Sequence, residues 1–441
     1  MAGRRALMFP RSLRSENVPL ARRAETGAAT AAYEAWLNTG REGFHQQPAT
    51  ADQVEQLFQA HEVDARVLTG VYDDSLPADL VDPLVPVATY ASFAKTLNIG
   101  AGLVPAHLVT MVTVRPTHRR RGILRELMTG DLARAKAAGY PVAALTASEA
   151  TIYGRFGFGR VTEQQTLHLD VRGDVRFHAA ASGSVLQVPP HALGPVAGRV
   201  FEAFHASRRG SVGRQAAYLR HATARWGQEG PDPDPKLRAA VYLDAAGEIQ
   251  GYVTYVFAGW DSKPFTLNVR DLVATTEVAR REIFRFLSSV DLIERISHPF
   301  AAANDPLGWA LEDPSRVSYT GREHCLWVRV LDVPAAFTAR EYRGSGTFTL
   351  RVADPQGLVA GSYAFAIRDG RAKITELDED GPADFSCGAV ALGPLLLGAC
   401  GIGDLVSAGL LEPTERARPV EPAALSELLD LPGVPHAING F

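Results

Sequence analysis

The strongest structural signal in the chain lies in residues 112–128, VTVRPTHRRRGILRELM. An apolar, β-branched run that predicts a strand ends before Pro116, and a loop of three arginines and one glycine follows. Apolar residues then recur at helical spacing. A strand, a basic glycine turn and a helix in this order aim free backbone N–H groups and the positive end of a helix dipole at one spot. Such a spot binds a pyrophosphate.

Four residues of this loop provide the binding groups. The glycine lets the backbone come close to an anion, and the arginine side chains neutralise its charge. A surface loop that is merely basic is the alternative interpretation, but the order of strand, turn and helix favours the anion site. The predicted anion-binding residues are Arg119, Arg120, Arg121 and Gly122.

Composition limits the classes of protein to consider. With 441 residues the chain is too long for a single core, and its length suggests about three domains. A net charge of −4 argues against nucleic acid as a partner, and no apolar run is long enough for a membrane helix. The cysteines Cys325, Cys387 and Cys400 are too widely spaced for a disulfide framework or a zinc site, so we expect no metal and a cytoplasmic location.

The pattern along the chain predicts three segments. In residues 1–162, a helical pattern at 28–37 precedes several strands and the strand-loop-helix unit, which indicates a mixed α/β sheet. Residues 163–331 repeat this order weakly, but the loop 275–277 before their helix contains neither glycine nor arginine. Residues 332–441 predict an antiparallel sheet with helices, followed by an apolar tail that packs against another part of the protein.

Three stretches of the chain together resemble one known family. They are residues 112–128, residues 141–159 (PVAALTASEATIYGRFGFG) and residues 305–342 (DPLGWALEDPSRVSYTGREHCLWVRVLDVPAAFTAREY). This combination resembles the Eis (enhanced intracellular survival) acetyltransferases, which belong to the GNAT superfamily of acetyl-CoA-dependent N-acetyltransferases. The resemblance spans all three segments and is far more specific than the glycine loop alone.

The resemblance implies a fold of the α/β (α+β) class and a division into domains. Residues 1–162 would form a catalytic GNAT domain, residues 163–331 a degenerate second GNAT domain, and residues 332–441 a domain similar to sterol carrier proteins. The family relationship also implies a homohexamer, built as a dimer of trimers, with acetyl-CoA and a small-molecule amine as its substrates.

The resemblance also assigns roles to single residues. A β-strand edge would pair with the pantetheine arm of acetyl-CoA, a helix start would hold the pyrophosphate, and a strand end would contact the coenzyme near its thioester. Tyr153 matches the family's general acid, and Phe441 matches the residue whose terminal carboxylate is the general base. The residues implied to bind the coenzyme are Val112, Thr113, Val114, Arg119, Arg120, Arg121, Gly122, Ile123, Ser148 and Glu149.

Acid–base chemistry supports the tyrosine more easily than the carboxylate. A thiol has a pKa of about 8.5 and a tyrosine about 10, so proton donation from Tyr153 to a leaving thiolate is nearly balanced. A terminal carboxylate has a pKa near 3.5, and full proton transfer from an ammonium of pKa about 10.4 would be uphill by roughly 9 kcal/mol. Burial, a neighbouring positive charge or a water relay must reduce that gap.

The chain departs from the family pattern on the acceptor side. Family members that acetylate aminoglycosides carry an acidic residue where this chain has Gly440, an aromatic residue where it has Met111, and a tryptophan where it has Phe204. Glu42 would compensate in part if it faced the pocket. The acceptor therefore stays open between aminoglycosides, polyamine-like molecules and lysine-type amines. A lipid or sterol carrier that uses the third domain is the alternative function.

Overall fold

The computed structural model describes residues 12–441 except for 148, 229, 379–380, 382 and 415–420. The chain starts by building a mixed sheet with helices packed against it. The elements of this part are β1 (Leu13–Val18), α1 (Ala31–Gly43), α2 (Ala51–Val63), β2 (Val67–Asp73), β3 (Ala88–Asn98), β4 (Leu103–Val114), α3 (Ile123–Ala137), β5 (Val142–Thr146), α4 (Ala150–Tyr153) and β6 (Gly159–Arg160).

A second mixed sheet follows with the same general order. Its part of the chain contains β7 (Glu163–Asp170), β8 (Ser184–Val188), α5 (Gly194–Ser207), α6 (Ala216–Ala222), β9 (Arg238–Leu243), β10 (Ile249–Phe257), β11 (Thr266–Ala274), α7 (Glu277–Ser288), β12 (Arg295–Ala302), α8 (Leu307–Ala310), β13 (Val317–His324) and β14 (Leu326–Val330).

The last part of the chain forms a smaller sheet with helices. Its elements are α9 (Val333–Thr338), β15 (Gly346–Ala353), β16 (Gly361–Arg368), β17 (Arg371–Leu377), β18 (Phe385–Gly388), α10 (Ala389–Leu397), α11 (Ile402–Ser407), β19 (Leu411–Pro413) and α12 (Pro422–Leu429). Strand pairing in this sheet is antiparallel except between β15 and β18.

Strand order shows that the first two sheets are built alike. Within the described residues, the first sheet has the order β1-β2-β3-β4-β5-β14-β6 and the second the order β13-β7-β12-β11-β10-β9-β8. Each has one parallel pair at its centre, β4 with β5 and β11 with β12, over three residue pairs. A helix crosses between the two parallel strands in both cases, α3 in the first sheet and α7 in the second.

The sheets do not follow contiguous stretches of chain. β14 lies at the end of the predicted second segment, 163–331, yet it pairs antiparallel with β5 and β6 in the first sheet. Its register runs from Leu326 opposite Thr146 to Val330 opposite Val142. The predicted boundary at residue 162 therefore separates stretches of sequence, while the first sheet also takes a strand from the following segment.

Helix α1 differs from its predicted bounds of 28–37. It begins at Ala31 because the side chain of Thr30 accepts a hydrogen bond from the backbone N–H of Tyr33, which is an N-cap. It then continues to Gly43, past the last strongly apolar residue of the pattern. Its buried residues, including Trp36 and Leu37, pack with Phe58 of α2.

The third sheet and its helices pack against the first sheet in one continuous core. Residues such as Leu108 and Val328 of the first sheet share a buried cluster with Phe348 and Leu392. An ion pair between Arg329 of β14 and Asp354 crosses this contact, and both side chains are almost fully buried. No helix in the described ranges has the length and apolar character needed to cross a membrane.

Candidate active site

The gap between β4 and β5 is the first feature of the site. The two strands pair only from Ala106 to Leu108 of β4, opposite Val142 to Ala144 of β5. β4 continues to Val114, and over this stretch its partner among the described residues is β3. The other edge of β4 therefore offers backbone N–H and C=O groups to an extended ligand lying in the gap.

A β-bulge at Met111 bends β4 beside this gap. Met111 has a φ of 52°, and the pairing of β4 with β3 shifts by one residue here. The carbonyl of Met111 accepts a hydrogen bond from Thr89 Oγ1 at 2.8 Å. Helix α1 approaches the bulge closely because Gly40 has no side chain: a Cβ there would lie 2.4 Å from Met111 Cε.

The start of helix α3 lies just beyond the end of β4. Gly122 is its N-cap residue with a φ of 81°, and no side chain caps the helix. The N–H groups of the first helical turn have no acceptor within the helix, so they and the helix dipole remain available to an anion. This geometry is the one that the basic glycine turn predicts.

The three arginines of the turn have different surroundings. Arg119 and Arg120 are exposed, and neither makes an ion pair with any described residue. Arg121 instead lies 3.5 Å from Asp73 of β2, which also contacts His118 at 3.1 Å. Hydrogen bonds from Ser75, with a further one from His118, lower the pKa of Asp73 to about 2. Asp73 thus stays charged and holds the turn.

The β4 residues predicted to contact the coenzyme have mixed exposure. Val112 and Val114 are half-buried, and Val112 lines the cleft described below. The side chain of Thr113 is buried and bonds Thr89 Oγ1 at 2.7 Å, so only its backbone is available. Ile123 is also buried in the core of the first sheet, which leaves its backbone N–H for the anion.

Two further predicted residues follow β5. Ser148 lies outside the described residues. Glu149 is exposed and stands immediately before α4, the short helix that ends at Tyr153. The strand end and this helix therefore bring Tyr153 to the open side of the β4–β5 gap.

A cleft of about 500 Å³ opens at this gap. Tyr153 and Phe441 both line it, together with backbone from β4 and β5, and the second sheet contributes the opposite wall. The lining residues are Phe44, Val109, Thr110, Met111, Val112, Leu145, Thr146, Ala147, Tyr153, Gln164, Tyr218, Phe300, Glu323, His324, Cys325, Gly440 and Phe441.

Tyr153 stands in the cleft with its ring edge against Phe158, the ring centres 6.3 Å apart. The side chain is partly buried. Burial raises the pKa of its hydroxyl, and the nearby carboxylate of Glu149 adds to the increase. The phenol therefore stays protonated through the neutral range, as a proton donor must.

Phe441 is bound to the end of β5. Its backbone N–H donates to Thr146 Oγ1 at 3.3 Å, and the Thr146 hydroxyl donates to the main-chain oxygen of Phe441 at 2.7 Å, which is one of the two carboxylate oxygens when Phe441 is terminal. The phenyl ring packs edge-on against Phe93, with ring centres 5.9 Å apart. The apolar tail therefore packs as predicted, and it brings its last residue to the mouth of the gap.

Comparisons with known proteins agree with this geometry. Acetyltransferase (GNAT) domain models match residues 27–161 and 210–330, and a sterol carrier protein domain model matches residues 333–433. The N-acetyltransferase Eis of Mycobacterium tuberculosis is 34% identical over 340 residues, which cover 74% of this chain and 79% of that protein. The chain belongs to the Eis family of GNAT N-acetyltransferases.

Two further proteins are similar to this chain, and one of them matches it over almost its whole length. An uncharacterized N-acetyltransferase of Streptomyces avermitilis is 34% identical, covering 75% of this chain and 79% of its own. The crystal structure of Eis1 from Mycobacterium abscessus has a TM-score of 0.78 at 26% identity and covers 97% of this chain and 100% of Eis1. The predicted fold class is confirmed: two GNAT domains precede a sterol-carrier-like domain.

In the second GNAT domain of this Eis-family enzyme, the helix equivalent to α3 is α7, and its N-terminus is capped by a side chain. The Thr276 side chain caps α7 by accepting from the N–H of Ala279, and Glu277 occupies the first helical position. Glu277 also pairs with Arg208 at 3.0 Å. A capped, acidic helix start has neither the free donors nor the positive charge that α3 offers, as the sequence of this loop predicts.

The residues that depart from the family pattern divide into two groups. Met111 and Gly440 line the cleft. Phe204 is buried in α5 within the core of the second domain. Glu42 pairs with Arg115 at 2.9 Å and faces a separate cavity, so it does not replace the missing acidic residue in this cleft.

Several residues that line the cleft were not predicted from the sequence. Gln164, Tyr218, Glu323 and Cys325 come from the second domain, and no local motif marks them. Burial raises the pKa of the Cys325 thiol to about 11, so it is not a thiolate at neutral pH. Within the described ranges, no group of three or more histidine, cysteine, aspartate or glutamate side chains converges as a metal site requires.

Proposed function

We propose that this Eis-family enzyme transfers an acetyl group from acetyl-CoA to a primary amine held in the cleft, with Tyr153 as general acid and the terminal carboxylate of Phe441 as general base. One observation carries the proposal: both residues line a single cleft at the open end of the β4–β5 gap. Tyr153 is the last residue of helix α4, and Phe441 is held by hydrogen bonds with Thr146.

The residues beside the gap fit the coenzyme that the GNAT fold implies. The free edge of β4 suits the amide groups of a pantetheine arm, and the uncapped start of α3 with Arg119 and Arg120 suits a pyrophosphate. Acetyl-CoA supplies the activated acetyl thioester. The protein supplies positioning, proton transfer and an electrostatic environment for the amine.

Tyr153 acts when the thioester bond breaks, by giving its proton to the departing sulfur. Partial burial raises the pKa of this phenol, and a neutral phenol beside the sulfur prevents the release of an unprotonated thiolate. The phenol recovers a proton from solvent or from the amine side of the cleft before the next turnover.

The carboxylate of Phe441 acts on the amine. Its negative charge attracts an ammonium group and orients it. The pKa gap of an isolated pair is too large for the carboxylate to take this first proton, so the ammonium loses it to solvent and the nitrogen attacks as the neutral amine. The acidity of the nitrogen then rises as its bond to carbon forms, and the carboxylate accepts the second proton. Proton transfer therefore accompanies attack, and the role requires Phe441 to be the last residue of the working protein.

The remaining cleft lining supports the proposal of a cationic acceptor. Glu323 is exposed at the cleft and makes no ion pair with a described residue. Gln164 Oε1 is buried, lines the same space and has no hydrogen-bond partner in the described part of the chain. None of the described lining residues is a lysine or an arginine. This electrostatic pattern favours a diamine or polyamine-like acceptor, including an aminoglycoside, over a neutral molecule.

Acetyl transfer is tested with untagged protein, acetyl-CoA and a panel of amines: aliphatic diamines, aminoglycosides and lysine peptides. Thiol release is followed with a trapping dye, and mass spectrometry counts the acetyl groups added to each amine. We expect amine-dependent thiol release with matching acetylated product. Release with no amine above background, together with tight binding of fatty acids or sterols, would instead support the lipid carrier.

The substitution Glu323→Gln tests the proposed acceptor class. Since an exposed ion pair contributes about 1 kcal/mol, KM for a diamine should rise about five-fold, while KM for a monoamine of equal length should not change. Glu412→Gln, an exposed glutamate in the third domain, is the matched control. Equal changes for diamine and monoamine would contradict a charge-specific role for Glu323.

We also propose that the protein works in the cytoplasm as a homohexamer, a dimer of trimers. Large apolar side chains exposed on the second domain support a subunit contact: Trp260, Leu292 and Trp309. Sedimentation velocity of the untagged protein measures the assembly directly, and a stable monomer at micromolar concentration would contradict it.

A further inference from the structure

The hydroxyl of Tyr218 in α6 both donates a hydrogen bond to Gly440 and accepts one from it. Gly440 is the residue before Phe441. The hydroxyl donates to the carbonyl oxygen of Gly440 at 3.1 Å and accepts from the N–H of Gly440 at 3.0 Å. One phenol thereby satisfies both backbone groups of this residue. Gln215 Nε2 donates to the same carbonyl at 3.2 Å.

A charged network of the second domain holds the ring of Tyr218. The Arg214 guanidinium lies 4.6 Å from the ring centre, and its two terminal nitrogens bind the carboxylate of Asp271 at 2.6 and 2.9 Å. The Tyr252 hydroxyl also donates to Asp271 at 2.7 Å. A planar ion pair of this kind fixes the orientation of the guanidinium, and the guanidinium fixes the ring that it covers.

The buried environment makes this network rigid. The side chains of Arg214 and Asp271 are only 9% and 14% exposed. Burial opposes the charge on Arg214, but the adjacent Asp271 outweighs it and raises the pKa of the guanidinium. Burial also raises the pKa of Tyr218 to about 12, so its hydroxyl keeps the proton that it gives to Gly440.

The rest of the tail is anchored in the same domain. Ile438 packs into the core formed by α5 and β10, and His436 bonds the carbonyl of Phe300 at 2.9 Å. Phe300 lies on β12, three residues beyond Ser297, which forms with Asn268 of β11 the last pair of the parallel contact. The splayed side of the second sheet therefore holds the chain's own tail. In the first domain, the corresponding gap faces the cleft.

We propose that Tyr218 is a positioning residue for the reaction: it holds Gly440 so that the carboxylate of Phe441 points at the amine. The Arg214–Asp271 pair in turn holds Tyr218. This inference rests on the proposed role of Phe441 as general base. The inference gives the second GNAT domain a role in the reaction. The start of its helix α7 is capped and does not suit a coenzyme, but its residue Tyr218 would hold the tail that carries the base.

The test compares Tyr218→Phe with Tyr255→Phe in the full-length, untagged enzyme. The first variant removes one hydroxyl beside Gly440. The second alters a buried tyrosine of β10 that packs against Phe286 in a different core of the same domain. We expect Tyr218→Phe to lower kcat about 10- to 100-fold with an unchanged Kd for acetyl-CoA, because a misplaced catalytic group loses rate and leaves coenzyme binding intact. Tyr255→Phe should keep kcat.

A double variant separates positioning from general destabilisation. If Tyr218 acts through Phe441, then Tyr218→Phe combined with deletion of Phe441 should be no slower than the deletion alone. Multiplied losses in the double variant would overturn the proposal, as would an unchanged kcat for Tyr218→Phe.

The accessibility of the C-terminus can be measured without an activity assay. Carboxypeptidase A should release Phe441 faster from Tyr218→Phe than from the wild type or Tyr255→Phe, as followed by intact mass. Equal release rates would overturn the tail-holding role even if the enzyme were inactive. An inactive wild type with faster release from Tyr218→Phe would instead reject the acetyl-transfer proposal and leave the tail contact established.

Discussion

Tyr153 combines three properties that a proton donor to sulfur needs. It lines the cleft, it stands on a helix that starts directly after β5, and its pKa is raised by burial and by Glu149. A raised pKa keeps the phenol neutral but also makes it a slightly poorer acid. Proximity to the sulfur is therefore expected to contribute more than acidity.

The substitution Tyr153→Phe should reduce kcat about 10²- to 10⁴-fold, the usual range for loss of a positioned general acid. The Kd for acetyl-CoA should not change, because the ring and its contact with Phe158 remain. Isothermal titration and steady-state kinetics measure the two quantities. Tyr140→Phe, in the same domain beside His107, is the control and should keep full activity.

The activity of the wild type should fall above roughly pH 10 as the phenol ionises, although its raised pKa moves this loss to more alkaline conditions. Tyr153→Phe should lack that alkaline limb. A variant that retains both the wild-type kcat and the alkaline limb would exclude Tyr153 as the acid.

Helices α3 and α7 occupy equivalent places in their sheets but differ at their N-termini, where we propose a coenzyme site for α3 alone. Both cross between the parallel strands of their sheet. α3 follows the end of β4 at Val114 after the basic turn, and α7 follows the end of β11 at Ala274 after two residues. α3 begins at an uncapped glycine with arginines before it, while α7 begins with a threonine cap and a glutamate. The difference lies in a few residues at the helix start, and the rest of the fold is shared.

Two glycines at opposite ends of α3 provide a matched test of this element. Gly122 and Gly139 have φ values of 81° and 84°, and a Cβ at either position would meet no close backbone atom. Gly122→Ala and Gly139→Ala should therefore each cost about 1 kcal/mol of stability for the left-handed backbone. Only Gly122→Ala should also raise the Kd for acetyl-CoA, by about ten-fold, because its methyl group and altered backbone lie at the anion site.

Thermal melts and coenzyme titrations of both variants give the comparison. Equal weakening of coenzyme binding by the two substitutions would show that α3 stability, and not the geometry of its first turn, controls binding.

At the level of the whole molecule, the last residues join parts of the chain that are distant in sequence. Gly440 contacts Tyr218, which is 222 residues away, and Phe441 contacts Thr146, which is 295 residues away. Under the proposed mechanism, both anchors must be correctly placed for the carboxylate to reach the cleft. We therefore expect catalysis to depend on how the first two domains pack, although the proposed coenzyme groups come from the first domain.

Extending the chain beyond Phe441 with a short flexible tag should remove most of the activity. The terminal charge would move away from the cleft, and an amide would replace the carboxylate. Binding of acetyl-CoA should persist, since α3 and β4 are unaffected. The same tag placed before Met1 is the control, and kinetics with coenzyme titration on both proteins provide the measurement. Full activity of the C-terminally extended protein would reject the carboxylate as the base.

Local sequence was enough to predict the elements that form the proposed coenzyme site. The strand, the basic glycine turn and helix α3 are contiguous in residues 103–137, and hydrophobic periodicity, glycine chemistry and helix-end physics act over a few residues. The same kind of signal predicted the order of elements in the second segment and its unsuitable loop. The roles of the single coenzyme residues remain predictions.

Only the tertiary structure brings together the residues of the proposed acceptor side. The pairing of β14 with β5, the Tyr218 contact with Gly440 and the carboxylate of Glu323 at the cleft all bring together residues that are far apart in the chain. Such contacts depend on how complete sheets pack and on which tail buries its apolar side chains between them. No local pattern in the sequence encodes these choices, because each is set by the free energy of the assembled domains.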